Sequence, residues 1–359
     1  MSTLRNSQNQ VANGGHYQRQ RRPGIAAALI GLMLGFAIAP ASAQEATFIT
    51  VNVPGASGTS LGSLNDRGDV VGDYFFANGN RNPHGYVRYR EGVFATFDAA
   101  PGATSTKPTS INLRGDITGD YSGTGIHGFL RHPDGTIVTF DVPGATGGTF
   151  PIGINARGEI AGYYLDAASG AHPFIRDRHG VITIFEVPGT LVGTGISINA
   201  KGQIAGTAYP HGFVREKNGV ITTIDVPGAA STAVRAINDT GEIMGNYSPD
   251  GHVNRSFVRD EDGVITTFDF PGAVSTVAVS MNNRGDILGN YTPDGIVYRN
   301  FVRDDDGAFT TLDGPPGTLV QEPEYINDAG EIAGTYIVVR SEYVYLRIPA
   351  RKGSGHDYE

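Results

Sequence analysis

Four histidines, His84, His127, His172 and His211, recur at one place in a repeating phrase, and four imidazoles invite a metal-ligand reading. Their spacing argues against it. Each belongs to a different copy of the phrase, too far from the next for two rings to reach one Zn²⁺ at about 2.1 Å, so they are expected to pack structurally. Two acidic runs, Asp260-Glu261-Asp262-Gly263 and Asp304-Asp305-Asp306-Gly307, suggest calcium by their oxygen count. Both fall where other copies carry Asp134-Gly135 or Asn218-Gly219. A tight hairpin cannot turn every carboxylate inward, so solvated turns are expected, with no metal and no cofactor. The residues that depart from an otherwise uniform pattern are the better candidates. Arg235 stands where other copies mostly have Thr, Ile or Val; Glu322, Glu324 and Tyr325 stand where others are small or apolar; Lys107 is a further departure. A charged group of this kind with a tyrosine suits a polar ligand such as a sugar or a peptide terminus.

The elements that must position these residues come from the repeat itself. Ile-Asn-x-x-Gly-x-Ile-x-Gly-x-Tyr, then His-Gly-Phe-x-Arg, then a Gly-containing turn, then Thr-x-Phe-Asp-x-Pro-Gly, occurs seven times. The anchoring asparagines are Asn65, Asn112, Asn155, Asn199, Asn238, Asn282 and Asn327, spaced 39 to 47 residues apart. Within the second copy, Thr109 to Ile111, Asp116 to Tyr121, His127 to Arg131 and Thr136 to Val142 read as strands, separated by Asn-x-x-Gly and Asp-Gly turns and stopped by Pro143-Gly144. Four short strands per copy of about 44 residues is the signature of a propeller blade.

The two ends complete each other. Phe48 to Val53 is a fourth strand without the other three, and Glu324 to Ile326, Glu331 to Tyr336 and Tyr343 to Arg347 are three strands without a fourth. Together they predict an all-β, seven-bladed β-propeller whose last blade is closed by the N-terminal strand, which removes the exposed edge an open array would carry. Each third strand ends in an arginine, Arg88, Arg131, Arg176, Arg215, Arg259, Arg303 and Arg347, and six second strands begin with an acid, Asp69, Asp116, Glu159, Glu242, Asp286 and Glu331. A cross-strand ion pair in each blade is expected.

Composition bounds the rest. Gly at 51 and Pro at 20 give frequent turns, and 39% apolar residues supply a core. Residues 1–43 read as a secretory signal peptide: Arg19, Arg21 and Arg22, an apolar run from Ile25 to Ile38, and Ala41-Ser42-Ala43 before Gln44. Without them 23 basic residues face 36 acidic ones, a net charge of −13. So acidic a domain is a poor partner for nucleic acid or anionic membrane. With no cysteine, disulfides, thiolate metal sites and a Cys nucleophile are excluded. The expected organisation is a signal peptide over 1–43, a monomeric propeller over 44–349 and a disordered tail over 350–359, secreted or periplasmic, with no membrane span after cleavage.

His127-Gly128-Phe129 and His211-Gly212-Phe213, set between an Asn-x-x-Gly-x-Ile-x-Gly strand and a Pro-Gly turn, resemble the bacterial extracellular repeat proteins called the HAF family. The resemblance covers residues 46–349 and implies export and a propeller-like array, with no particular activity. His84-Gly85-Tyr86 and His172-Pro173-Phe174 are variants, and three copies lack the histidine. The leading functional expectation is a non-catalytic binding or structural protein that offers the propeller face to a glycan or protein ligand. The alternative is an exported hydrolase or lyase acting on a carbohydrate or ester-like substrate at the channel mouth.

Overall fold

The computed structural model describes residues 46–76, 82–318, 320–338 and 341–350, and resolves them into seven antiparallel sheets. The expected signal peptide and nearly all of the expected tail lie outside the described residues. Six sheets have four strands, and the first blade has a fifth piece because its inner strand is split into Gly58–Thr59 and Ser63–Leu64. The seven-bladed propeller is therefore the observed architecture. Thr47–Val51 pairs with Ser341–Ile348, from Thr47 opposite Ile348 to Val51 opposite Val344, so the N-terminal strand completes the last blade as the ends predicted.

In the second blade the strands are Ser105–Ile111, Ile117–Ser122, Ile126–Arg131 and Ile137–Phe140. The inner strand starts four residues earlier than its sequence suggests. Pro108 reads as a strand breaker, but the register slips between Pro108 and Ser110, and such a bulge tolerates a residue without an N–H donor. The same slip recurs at Pro151/Gly153, Val234/Ala236, Ala278/Ser280 and Pro323/Tyr325.

Each turn from inner to second strand is held by its asparagine. Asn112 Oδ1 accepts from the backbone N–H of Arg114 and Asp116, and Gly115 takes φ +89°, open to glycine at no cost. The asparagine does more than shape its turn. Asn65 Nδ2 donates to the carbonyl of Asn112, Asn112 to Asn155, and so on through Asn199, Asn238, Asn282 and Asn327, until Asn327 donates to Asn65 across 262 residues. These donor–acceptor distances run from 2.9 to 3.5 Å. A closed ring of seven amide–carbonyl bonds thus ties all blades together at one end of the axis.

The core lies in the seams between blades. Phe129, Phe174, Phe213, Phe257 and Phe301 are essentially fully buried, each contributing about 1.5–3 kcal/mol by leaving water. Their rings lie over the second repeat glycine: a Cβ on Gly162 would stand 3.0 Å from Phe174 and 2.2 Å from the Phe150 carbonyl. Glycine is required there because ring and neighbouring strand already fill the space.

The expected ion pair per blade is not what the third-strand arginines make. Arg131 lies opposite Ile117, its Nη1 donates to the His132 carbonyl, and its guanidinium sits 4.9 Å from the centre of the Phe97 ring in the preceding blade. Arg176, Arg215 and Arg303 stack likewise on Phe140, Phe185 and Phe268. Asp116 instead takes hydrogen bonds from Asn112, Arg114 and His132. Burial alone would raise its pKa, but those hydrogen bonds outweigh it and hold the carboxyl below its ordinary value. The acid precedes the strand and turns toward the asparagine ring, whereas the arginine's flat face finds an aromatic partner across the seam.

Candidate functional site

The inner strands of neighbouring blades touch one another around the whole ring, so they surround the axis. On either side of each bulge, buried residues such as Thr106 and Pro108, or Thr232 and Val234, alternate with more exposed ones. Two tiers of axial side chains result. The residue before the bulge position is Ser60, Lys107, Phe150, Ala233, Val277 or Glu322; the residue after it is Gly62, Thr109, Ile152, Arg235, Val279 or Glu324. Lys107 and Glu322 therefore share one tier, and Arg235 and Glu324 the next. Tyr325 stands elsewhere. It takes the place of Ser110, Ser197 and Ser280, whose hydroxyls accept from Ile154, Ile237 and Ile326 of the following blade. Burial pushes its hydroxyl up, with Glu324 adding to the effect. Tyr325 is a seam residue between the last blade and the first.

A cavity of about 1100 Å³ opens beside the axis between the sixth and seventh blades. Its inner wall is Val277, Val279, Glu322, Pro323 and Glu324, and its floor includes Asn290 and Asn300. Its outer rim is the loop between the second and third strands of the sixth blade, where Ile296, Val297 and Tyr298 are 81%, 54% and 60% exposed. Three consecutive apolar side chains are thus held in water beside a polar hollow. Arg235 and Lys107 do not line this cavity, so the structure brings Glu322 and Glu324 together and leaves the two cations on other parts of the wall.

The solved structures similar to this chain are propellers. Selenomethionine-substituted virginiamycin B lyase from Staphylococcus aureus superposes with a TM-score of 0.56 at 14% identity, over 85% of this chain and 99% of that one. A puromycin hydrolase gives 0.56 at 11% identity, over 82% of this chain and 52% of that one. YCF48 bound to D1 peptide gives 0.51 at 9% identity, over 86% and 96%. At these identities the likeness is one of fold. No protein-family model and no curated protein sequence matches the chain.

A second axial group lies in the first three blades. Asp73 and Asp120 follow the second repeat glycine, where other blades have Tyr163, Thr207, Asn246, Asn290 and Thr335. Lys107 lies opposite Asp120 in register. Burial pushes both carboxyls up to about 6; Lys107 pulls both down, and the Asp73 charge raises Asp120 further. Tyr163, raised by burial and by Asp120, stacks on Phe150 with ring centres 4.9 Å apart. Sequence reasoning passed over Asp73, Asp120 and Tyr163. The available signal was variation at one strand position whose flanks hardly vary.

The histidines stand away from the axis and pair within their own blades. His84 binds Asp98 at 2.8 Å, His127 binds Asp141 at 2.9 Å and His211 binds Asp225 at 2.7 Å, the partner each time being the aspartate of Thr-x-Phe-Asp or its variant. The His84 and His127 rings pack on Tyr74 and Tyr121. Arg255 and Asp269 make the equivalent contact in the fifth blade. In the acidic turns, Asp260 and Asp304 accept from the backbone of Val264 and Ala308, so these carboxylates serve the hairpin itself.

Proposed function

We propose that this chain is an exported, non-catalytic binding propeller that takes a segment of another protein into the cavity between its sixth and seventh blades. The observation that carries the reading is the continuity of the exposed Ile296-Val297-Tyr298 rim with a polar inner wall, since other exposed apolar side chains such as Val93, Val181 and Val264 stand singly in their turns. An exposed apolar rim that anchors a few side chains beside fixed polar groups is one way a peptide segment is held. A propeller of similar fold, YCF48, is bound to a peptide, which supports the choice of a peptide over a glycan. Export rests on the basic, apolar and Ala-x-Ala pattern of residues 1–43 and on the resemblance to HAF-type repeats.

The test is panning of a random dodecamer phage library on the immobilised full chain and on an Ile296→Ser/Tyr298→Ser variant. Sequences enriched on the first and not on the second are expected. Equal enrichment on both, or a glycan-array hit insensitive to the rim, would overturn the reading.

One observation favours a second reading, a hydrolase or lyase on a carbohydrate or ester-like substrate. Asp73 and Asp120, two carboxyls near 6 beside Lys107 and Tyr163, are poised as an acid–base pair near neutral pH. Mass change of a candidate substrate, lost in Asp73→Asn and Asp120→Asn, would establish it over the binding reading.

A further inference from the structure

The asparagine ring is edged by a second ring that is not complete. The residue after the asparagine also links blades: Ala200 N–H donates to Asp239 Oδ1 at 2.6 Å, Asp239 N–H to Asn283 Oδ1 at 2.9 Å, Asn283 N–H to Asp328 Oδ1 at 2.7 Å, and Asp328 N–H to Asp66 Oδ1 at 2.9 Å. There the series stops, because the next three places are held by Leu113, Ala156 and Ala200, whose side chains have no acceptor. Among the described residues, no hydrogen bond engages the N–H of Asp66, Leu113 or Ala156. The closed seams show what each place takes, an amide oxygen from Asn283 and a carboxylate oxygen from Asp66, Asp239 and Asp328. Three consecutive seams lack it.

Donors gather along the open arc. Each free N–H precedes an arginine, and Nη2 of Arg67, Arg114 and Arg157 crosses the seam to lie 2.9, 2.6 and 3.2 Å from where a Cβ on Gly115, Gly158 and Gly202 would stand. Arg67 and Arg114 bring both Nε and Nη2 to one oxygen of Asp69 and Asp116. Arg157 brings only Nε to Glu159, and its Nη2 is buried with no partner among the described residues. A buried donor left unpaired is costly and is available to a bound anion. By the equivalence of the blades, the free Ala156 N–H is directed to the same turn at 199–202, where Ala200 offers no acceptor.

The distribution of charge agrees. Burial raises the Asp66 carboxyl against the pull of the Asp328 N–H, and the charges of Asp328 and Asp239 raise it further. Like charge is thus crowded onto the closed arc. A cleft of about 580 Å³ opens at the first gap, but there Arg67, Arg90 and Arg114 share the lining with Asp66, Asp69 and Glu91. At the second and third gaps the empty places belong to alanines, and the acids Asp116 and Glu159 lie under their arginines with side chains 6% and 15% exposed. These turns are neighbours, tied by the Asn112 and Asn155 amides at 3.0 Å.

We infer that the open arc is a carboxylate-binding site, separate from the cavity and at the opposite end of the strands. A small polycarboxylate places one carboxylate on the Leu113 N–H beside Arg114 and a second on the Ala156 N–H beside Arg157. Turn N–H groups joined by a guanidinium make an anion cradle, and the ligand's oxygens take the places that Asp66, Asp239 and Asp328 fill elsewhere in the ring. The net charge of −13 expected without residues 1–43 opposes an acidic macromolecule and favours a compact ligand.

The probe is tricarballylate, titrated by calorimetry into the full chain at neutral pH against sodium chloride of equal ionic strength. Binding accompanied by a rise in melting temperature is expected. Ala156→Asp/Ala200→Asp supplies the two missing carboxylates from the chain itself, so it should melt above the wild type without ligand and bind the probe about tenfold more weakly. Arg157→Gln, which removes the unpartnered donor, should weaken binding severalfold. No binding beyond the chloride control would overturn the site. So would a double variant that fails to fold, melts no higher than the wild type or binds the probe unchanged, and so would unchanged binding in Arg157→Gln. A tetra-aspartate peptide that binds more tightly than tricarballylate would overturn the assignment to a small ligand.

Discussion

Asn199 is the cleanest place to weigh the asparagine ring. Its Nδ2 donates to the Asn238 carbonyl at 2.9 Å and to Gln203 Oε1 at 2.7 Å, and its Oδ1 accepts from Gln203 N–H at 3.0 Å. Unlike its six counterparts, it faces a neutral glutamine where they face a carboxylate, so an introduced charge meets no fixed anion at that position. Asn199→Ala removes all three hydrogen bonds and leaves the Asn238 carbonyl buried, for a loss of about 3 kcal/mol at roughly 1 kcal/mol per bond. Asn199→Asp keeps the acceptor that shapes the turn and loses the bond between blades, for about 1–2 kcal/mol. At about 2 °C per kcal/mol for a domain of this size, the melting temperature should fall by about 6 °C and 3 °C. With 16 tyrosines and no tryptophan, tyrosine fluorescence or far-ultraviolet circular dichroism is the readout. An Asn199→Asp protein that melts with the wild type would show that the bond between blades contributes nothing, and the account of the ring would fail.

Other outcomes follow from the same packing. Gly162→Ala should prevent soluble expression or lower the melting temperature by more than 10 °C, because its Cβ would stand 2.2 Å from the Phe150 carbonyl; a folded variant of wild-type stability would refute the close-approach argument. Arg215→Ala should destabilise by about 1–2 kcal/mol in urea, and Arg215→Lys by less, because only the guanidinium combines stacking on Phe185 with a hydrogen bond to the Glu216 carbonyl. Asp73 and Asp120 bind protons more tightly folded than unfolded, with carboxyls near 6 against an ordinary 3.8. Their stabilising contribution is therefore present below about pH 4 and is lost as pH rises to about 6. Asp73→Asn/Asp120→Asn should raise the melting temperature at pH 7.5 and change it little at pH 4; the reverse dependence would contradict the burial argument.

Local chemistry made much of this protein legible in its sequence. Asn-x-x-Gly and Asp-Gly specify turns, β-branched and aromatic runs specify strands, and their recurrence from Asn65 to Asn327 counts the blades. The lone strand at one end and the three at the other predicted the closure that Thr47–Val51 and Ser341–Ile348 make. Departures from the repeat also placed Lys107, Arg235, Glu322 and Glu324 on the axial wall, since a uniform scaffold makes its exceptions visible. The strand expected from Thr109 begins at Ser105, because a bulge accepts at Pro108 what a regular ladder refuses.

What passed between blades was decided only by the tertiary structure. Whether Arg131 meets Asp116 or Phe97 depends on which face of a sheet meets which neighbour, and no spacing within one repeat encodes that. The asparagine ring needs each turn within 3.5 Å of a turn 39 to 47 residues away, and its last bond spans nearly the whole described chain. The cavity and its apolar rim came into view only once the sixth and seventh blades were side by side. A sequence states what each strand and turn prefers; packing across a seam sets which side chains share a space, and that space is where binding is decided.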